Sequence, residues 1–324
     1  MLFRSVIIAP ICGPLLGGYI SDNWHWSWIF LINIPIGLFG GFTTWALMRD
    51  RESPTSKLPL DYIGLALLVI GIGSLQLMLE IGRDYDWFES SFIIVLGVVA
   101  VICITFFIAW TWTSDKPVVN LQLMRDANFR FGVVLLSVGF MTYFSTVVVV
   151  PLWLQSVMNY TPTEAGMAMA PIGIFTLILS PWVGKNARRL NLRVLATMSF
   201  VILGAVCLWN TRMTLDVTFW DIVNPRIVQG IGLAFFFIPV QTLMLSNITP
   251  DRMAAASGLS NFLRTLGAAI GTAISVTGWE HLSIEHHARL AESVTVYAAP
   301  TRSFVDQLQA GGLSAQQAYG VLER

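Results

Sequence analysis

Hydrophobic residues in this chain gather in long runs separated by short polar segments. Nine runs are long enough to cross a bilayer, at roughly 4–20, 28–48, 60–80, 91–112, 131–155, 165–183, 194–211, 222–245 and 255–278. A spanning helix needs about 20 mostly apolar residues, at 1.5 Å rise per residue across a hydrocarbon core of about 30 Å. Backbone amides cannot stay unpaired in lipid, so runs of this length predict helices. The pattern predicts an all-α polytopic membrane protein with about nine transmembrane helices. The first run, with Arg4 ahead of apolar residues, also fits a signal peptide. Pro10, Pro14, the pair Gly17-Gly18, the lack of an A-x-A cleavage site and the second run close behind it favour a true span.

Loop charges orient the spans. The segments before the first span and after the second, fourth, sixth and eighth carry Arg4; Arg49, Arg51 and Lys57; Lys116, Arg125 and Arg130; Lys185, Arg188, Arg189 and Arg193; and Arg252. The opposite loops carry Arg83 and Arg212 beside Asp22, Glu80, Asp84, Asp86, Glu89, Glu164, Asp216 and Asp221. The positive-inside rule puts the amino end in the cytoplasm and the stretch from about 279 outside. Trp24, Trp26, Trp28, Trp87 and Trp220 fall at the external ends, as interfacial anchors do.

Composition agrees. Hydrophobic residues make up 55% of the 324 and charged ones 12%, with mean hydropathy +0.67. The charged share is about half that of soluble proteins. The 19 basic and 19 acidic residues balance, which leaves no polyanion-binding excess. Cys12, Cys103 and Cys207 sit in apolar runs, with neither disulfide nor zinc spacing. His25, His281, His286 and His287 are external, and neighbouring His286 and His287 diverge on a helix, so no metal site is expected.

Short motifs then bring chemistry. In the first span, Gly13 and Gly17 lie one turn apart and predict a close helix approach, with a kink at Pro14. Ordinary packing explains a lone GxxxG equally well, but the full string Gly13-Pro14-x-x-Gly17-Gly18 is more specific. It resembles the antiporter motif of drug:proton exporters in the major facilitator superfamily. Trp26-Ser27-Trp28-Ile29-Phe30-Leu31-Ile32-Asn33-Ile34-Pro35-Ile36-Gly37 and Leu60-Asp61-Tyr62-Ile63-Gly64 resemble segments of its 14-span EmrB/QacA family. So do Lys116-Pro117-Val118-Val119-Asn120-Leu121, Asn128-Phe129, the string Ala256-Ser257-Gly258-Leu259-Ser260-Asn261-Phe262-Leu263-Arg264-Thr265-Leu266-Gly267, and His286-His287-Ala288-Arg289-Leu290.

The resemblance implies a major facilitator helix bundle covering about family spans five to thirteen, part of a longer transporter or a truncated gene product. Residues 1–48 would hold the last two spans of the amino-terminal bundle, and 49–130 two inserted linker spans. Residues 131–278 would hold five spans of the carboxyl-terminal bundle, and 279–324 an external, periplasmic loop. The implied function is export of hydrophobic and amphipathic compounds by proton antiport and alternating access, in a bacterial inner membrane. The energy source would be the proton gradient, with no cofactor. The implied partners are a periplasmic membrane-fusion protein of the EmrA kind and an outer-membrane channel of the TolC kind. A facilitator exporting another substrate, such as a siderophore or metabolite, fits the same residues. An intramembrane enzyme does not, since no catalytic His, Asp, Glu or Ser/Lys pair lies at membrane depth. The loop Gly184–Arg193 departs from the superfamily pattern by lacking its Asp. It reads either as a weak cytoplasmic lock or as a solvated basic loop.

Ionisable residues at membrane depth are costly and usually functional. Away from span edges only Arg226 and Arg264 qualify. Arg226 either snorkels to the outer headgroups or faces the bundle interior. Arg264 ties to backbone carbonyls or serves as a cytoplasmic gate. Proton antiport needs a carboxylate with a raised pKa. None lies inside a span here, and the resembled family carries such groups in its first and fourth spans. Candidates for the substrate pathway are Asn33, Phe140, Tyr143, Phe144, Arg226, Gln229, Phe235, Gln241, Asn261 and Arg264, with Phe236 and Thr242 beside them. For each aromatic, lipid-facing packing is the competing reading. In the tail, Ser314 and Gln317 form a capping-box pattern, and 301–309 reads as an amphipathic helix.

Overall fold

In the computed structural model the described residues are 13, 15–49, 61–114, 119, 121–187, 189–293 and 305–306. Those described are helical with short connections, and nine helical segments stand where nine spans are expected. They are α1 (15–23), α2 and α3 in tandem (Trp28–Leu31, Asn33–Met48), α4 (Tyr62–Ile81), α5 (Ser91–Thr113), α6 (Ala127–Ser156), α7 (Pro162–Asn186), α8 (Leu192–Asn210), α9 (Phe219–Met244) and α10 (Met253–Ser293). Seven are long and apolar enough to cross a membrane: the tandem α2–α3 and α4 to α9. Most of the first expected span, with Pro14, lies outside the described residues, as do the expected tail helix 301–309 except for 305–306, and Ser314 and Gln317.

Three helices start three or four residues earlier than hydropathy predicts, for one reason. Hydropathy sees the lipid-embedded part, whereas the helix begins at its polar cap. Asp126 Oδ1 accepts from the Phe129 amide (2.8 Å) and starts α6 four residues early. Thr161 and Glu164 close a capping box on α7: the Glu164 amide donates to Thr161 Oγ1 (3.2 Å) and the Thr161 amide to Glu164 Oε2 (2.8 Å). At the head of α9 the Thr218 amide donates to Asp221 Oδ2 (2.9 Å).

The largest departure is α10, which runs to Ser293 rather than ending near 278. Nothing between Gly278 and Pro300 interrupts a helix, and Glu285 pairs with Arg289 one turn on. The first part of the expected external loop is therefore helical.

By packing, the chain divides into residues 1–273 and 274–324. In the first unit α6, α7, α8 and α9 share one core, with α9 packed against the other three. Phe236, Leu233, Ile222 and Met244 on α9 are fully buried there, with Phe129 and Leu154 of α6. α4 and α5 pack on each other. Asp61 caps α4 by accepting from the Gly64 amide (2.9 Å), and its Oδ1 also accepts from Trp110 Nε1 of α5 (2.9 Å). Val69, Val101 and Phe106 stay exposed on this pair, as suits surfaces facing lipid. Of the second unit, the described part is the end of α10 with 305–306.

Candidate functional site

The glycine-rich string of α1 meets α7 of the carboxyl-terminal core through one glycine. Among the described residues nothing approaches a side chain placed at Gly13 or Gly17. Gly18 is buried instead, and a Cβ there would overlap the backbone carbonyl of Pro162. Among the described residues the contact of α1 with α7 is therefore made by Gly18, one residue on from Gly17. One turn on, Asp22 Oδ2 accepts from the Thr163 amide (2.8 Å), so a carboxylate of α1 caps the positive end of α7. By the loop charges, this joint sits at the external end. In the intact transporter Gly18→Leu is expected to cut dye efflux by about tenfold, whereas Gly17→Leu is expected to be mild. Efflux rates of membrane-inserted variants check this, and normal export by Gly18→Leu would sink it.

At the opposite end, α6 is tied to the connection between α9 and α10. Asp126 Oδ2 accepts from Asn247 Nδ2 (3.0 Å), and Asn128 Nδ2 donates to Ser246 Oγ (3.3 Å). Beside them lies a cleft of about 750 Å³ bordered by Arg125, Asn247, Asp251 and Arg252. The Phe129 backbone amide and the Asn247 side-chain amide hold the Asp126 carboxyl below the usual carboxylate range. A depressed pKa means the stabilisation is present above the ordinary value near 4. It is lost as pH falls through the folded value. Asp126→Ala is expected to cost about 1 kcal/mol at neutral pH, a capping-scale loss with the solvent-screened charge adding little. The gap to wild type should close as the pH of detergent unfolding scans is lowered below about 4.

The candidate pathway residues fall into two groups. An aromatic cluster joins α6 to α9 around Phe140. Its ring stacks on Phe144 (5.8 Å) and meets Phe237 (5.1 Å) and Tyr143 (6.4 Å) edge-on, and Phe236 contacts Phe237 (5.4 Å) and Phe200 of α8 (5.5 Å). Gly139 makes the crossing possible, because a Cβ there would overlap the Phe236 ring. Phe140 and Tyr143 are buried, so in this arrangement they are core, and Phe144 and Phe237 are only partly covered. Phe235 lies outside the cluster, and the neighbours Phe236 and Phe237 replace it. Arg264 of α10 places its guanidinium 4.5 Å from the Phe140 centroid. Its contact is thus a ring face, not the expected backbone carbonyls. Close approach sets this up: a Cβ at Gly267 would press on the Ser137 backbone, and one at Gly271 on Met141. The spacing Gly267-x-x-x-Gly271 is a small-residue signal that hydropathy and charge patterns do not weigh.

The second group is polar and buried. Arg226 is fully buried between α8 and α9, which excludes snorkelling. Its Nη1 donates to Gln229 Oε1 (2.9 Å) and its Nη2 to Asn210 Oδ1, and its Nε has no partner. Asn210 had no signal in the sequence beyond polarity at a helix end. Asn33 and Asn261 are exposed, Gln241 is half-buried, and Thr242 donates to its own helix at Ile238 O (2.7 Å). Among the described residues no cluster of His, Cys, Asp or Glu suits a metal ion.

The family model described as Major Facilitator Superfamily matches residues 4–272. The chain belongs to the major facilitator superfamily. The Multidrug export protein EmrB of Escherichia coli (strain K12) is 48% identical over 98% of this chain and 62% of its own length. The Fatty acid resistance protein FarB of Neisseria gonorrhoeae is 42% identical over 98% of this chain and 63% of its own. The Multidrug export protein EmrB of Haemophilus influenzae is 42% identical over 97% of this chain and 62% of its own. The chain spans about three fifths of the length of these curated relatives. Among its described residues this major facilitator chain has seven helices long and apolar enough to cross a membrane.

Proposed function

We propose that this chain forms part of an exporter of hydrophobic and amphipathic compounds, driven outward in exchange for protons by alternating access. The observation that carries the reading is the joint at Gly18, Asp22, Pro162 and Thr163, where α1 seats on the start of α7. A joint of that kind at the external end must close and open for substrate to leave. The names of the relatives support the substrate class: two are multidrug exporters, and FarB is named for fatty acid resistance, which keeps amphipathic acids within it. Among the described residues no carboxylate lies inside the apolar part of a membrane-crossing helix. In this proposal the proton-binding group lies outside these helices. A membrane-fusion protein of the EmrA kind and an outer-membrane channel of the TolC kind complete the proposed export route.

The test is dye export by the intact transporter in proteoliposomes with an imposed pH gradient. Outward transport that collapses with the gradient supports the reading. Gradient-independent dye movement, or none, overturns it.

A further inference from the structure

α10, where the sequence predicts a span over about 255–278, is less apolar than the seven helices able to cross a membrane, and several of its polar residues share a face. Asn261 and Thr265 are exposed one turn apart, with half-buried Arg264 between them. At 1.5 Å per residue Arg264 lies about 16 Å along the helix from Met253, near the middle of the span predicted from the sequence. Thr265 satisfies its hydroxyl on its own helix at Asn261 O (2.9 Å). The Asn261 amide and the Arg264 guanidinium have no such escape, so at that depth this face borders water rather than lipid.

Arg264 has no hydrogen-bond or ion-pair partner among the described residues, and its Nε is buried without one. Its contact is the face of Phe140, beside the partly covered rings of Phe144 and Phe237. The seam at Gly267 and Gly271 presses α10 on α6 and fixes the cation against that aromatic wall. A guanidinium offers five donors in a plane, matched to an oxyanion, and a ring face satisfies none of them as a hydrogen bond does. The wall suits an apolar chain.

We propose that Arg264 is a specificity-determining residue of the export pathway that selects amphipathic monoanions. It would take the carboxylate or sulfonate head while the chain lies along the partly covered rings of Phe144 and Phe237. This deepens the proposed exporter function and rests on it.

The test uses the intact transporter in proteoliposomes exporting an uncharged fluorescent dye. Dodecanesulfonate and dodecyltrimethylammonium, with the same chain and opposite heads, compete with the dye. In wild type the sulfonate is expected to compete at lower concentration. Arg264→Gln is expected to raise its half-inhibitory concentration about tenfold or more, as loss of a charge-assisted contact does. The readout is the ratio of the two half-inhibitory concentrations within each variant, which Arg264→Gln should bring close to one and Arg264→Lys should largely restore. Equal competition by the two compounds in wild type overturns the proposal, whether or not any variant folds. So does a loss in Arg264→Gln that falls alike on both compounds and the dye, which marks Arg264 as neutralised by a carboxylate of the protein. Absence of gradient-driven dye export in wild type instead fails the exporter reading itself.

Discussion

Replacing Gly230 by leucine is expected to separate α7 from α9 and to destabilise the carboxyl-terminal core by about 3 kcal/mol, the upper range for overpacking. The two helices cross at this residue. A Cβ there would fall 2.5 Å from the Ile172 carbonyl oxygen, and the obstacle is backbone, which cannot rotate away as a side chain does. Thr176 of α7 donates to Gly230 O (2.9 Å) and to its own helix at Ile172 O (2.7 Å), so widening the crossing also disrupts a buried interhelical hydrogen bond. In lipid no hydrophobic force holds helices together, and such close contacts carry the association. Thermal unfolding in detergent, monitored by size-exclusion chromatography, measures the loss. A Gly230→Leu variant that stays monodisperse with a midpoint within about 2 °C of wild type overturns the account.

The second large effect concerns Arg226. Asn210→Leu is expected to cost about 3 kcal/mol, because it leaves a fully buried guanidinium with only its Gln229 hydrogen bond among the described residues. Arg226→Met is expected to cost less. It removes the charge itself and leaves two neutral amides, whose loss of partner is worth about 1–3 kcal/mol. The order is the diagnostic result. If Arg226→Met unfolds more readily than Asn210→Leu, the cation is neutralised by something other than these amides, and the clasp between α8 and α9 is not its role. Detergent unfolding of the two variants and of the double variant decides it, since the double variant isolates their coupling.

Both effects hinge on facts the sequence displayed only in part. The depth of Arg226 was readable from its place in an apolar run, but its rotation about the helix axis was not. A residue one turn into a span either faces lipid and snorkels or faces a neighbour, and both satisfy the same pattern. The glycines show the same ambiguity. Gly13 and Gly17 carried the obvious spacing, yet Gly18 touches α7. Phe235 and Phe236 are adjacent, and the cluster takes Phe236 with Phe237. A turn of 100° per residue moves a side chain from one neighbour to another, so one residue of error changes the partner.

The sequence alone determined the consequences of burial in lipid. Length and hydropathy set the helical class and the number of segments, because an unpaired backbone cannot persist in hydrocarbon. They also set the positions of the spans from α2 to α9 to within a few residues, and the motifs carried the family. The helix starts at Asp126, Thr161 and Thr218 escaped the hydropathy reading, because a polar cap carries no apolar signal even though its bond is local. Tertiary structure decided the rest: the joint of Gly18 and Asp22 with α7, the burial of Arg226 between α8 and α9, and the Arg264 guanidinium over Phe140. Asn210 and Arg226 are 16 positions apart and Asp22 and Thr163 are 141 apart, and which residues meet at such separations depends on helix rotation and crossing. Those are set by how closely two backbones can approach, a property of the pair and not of either helix.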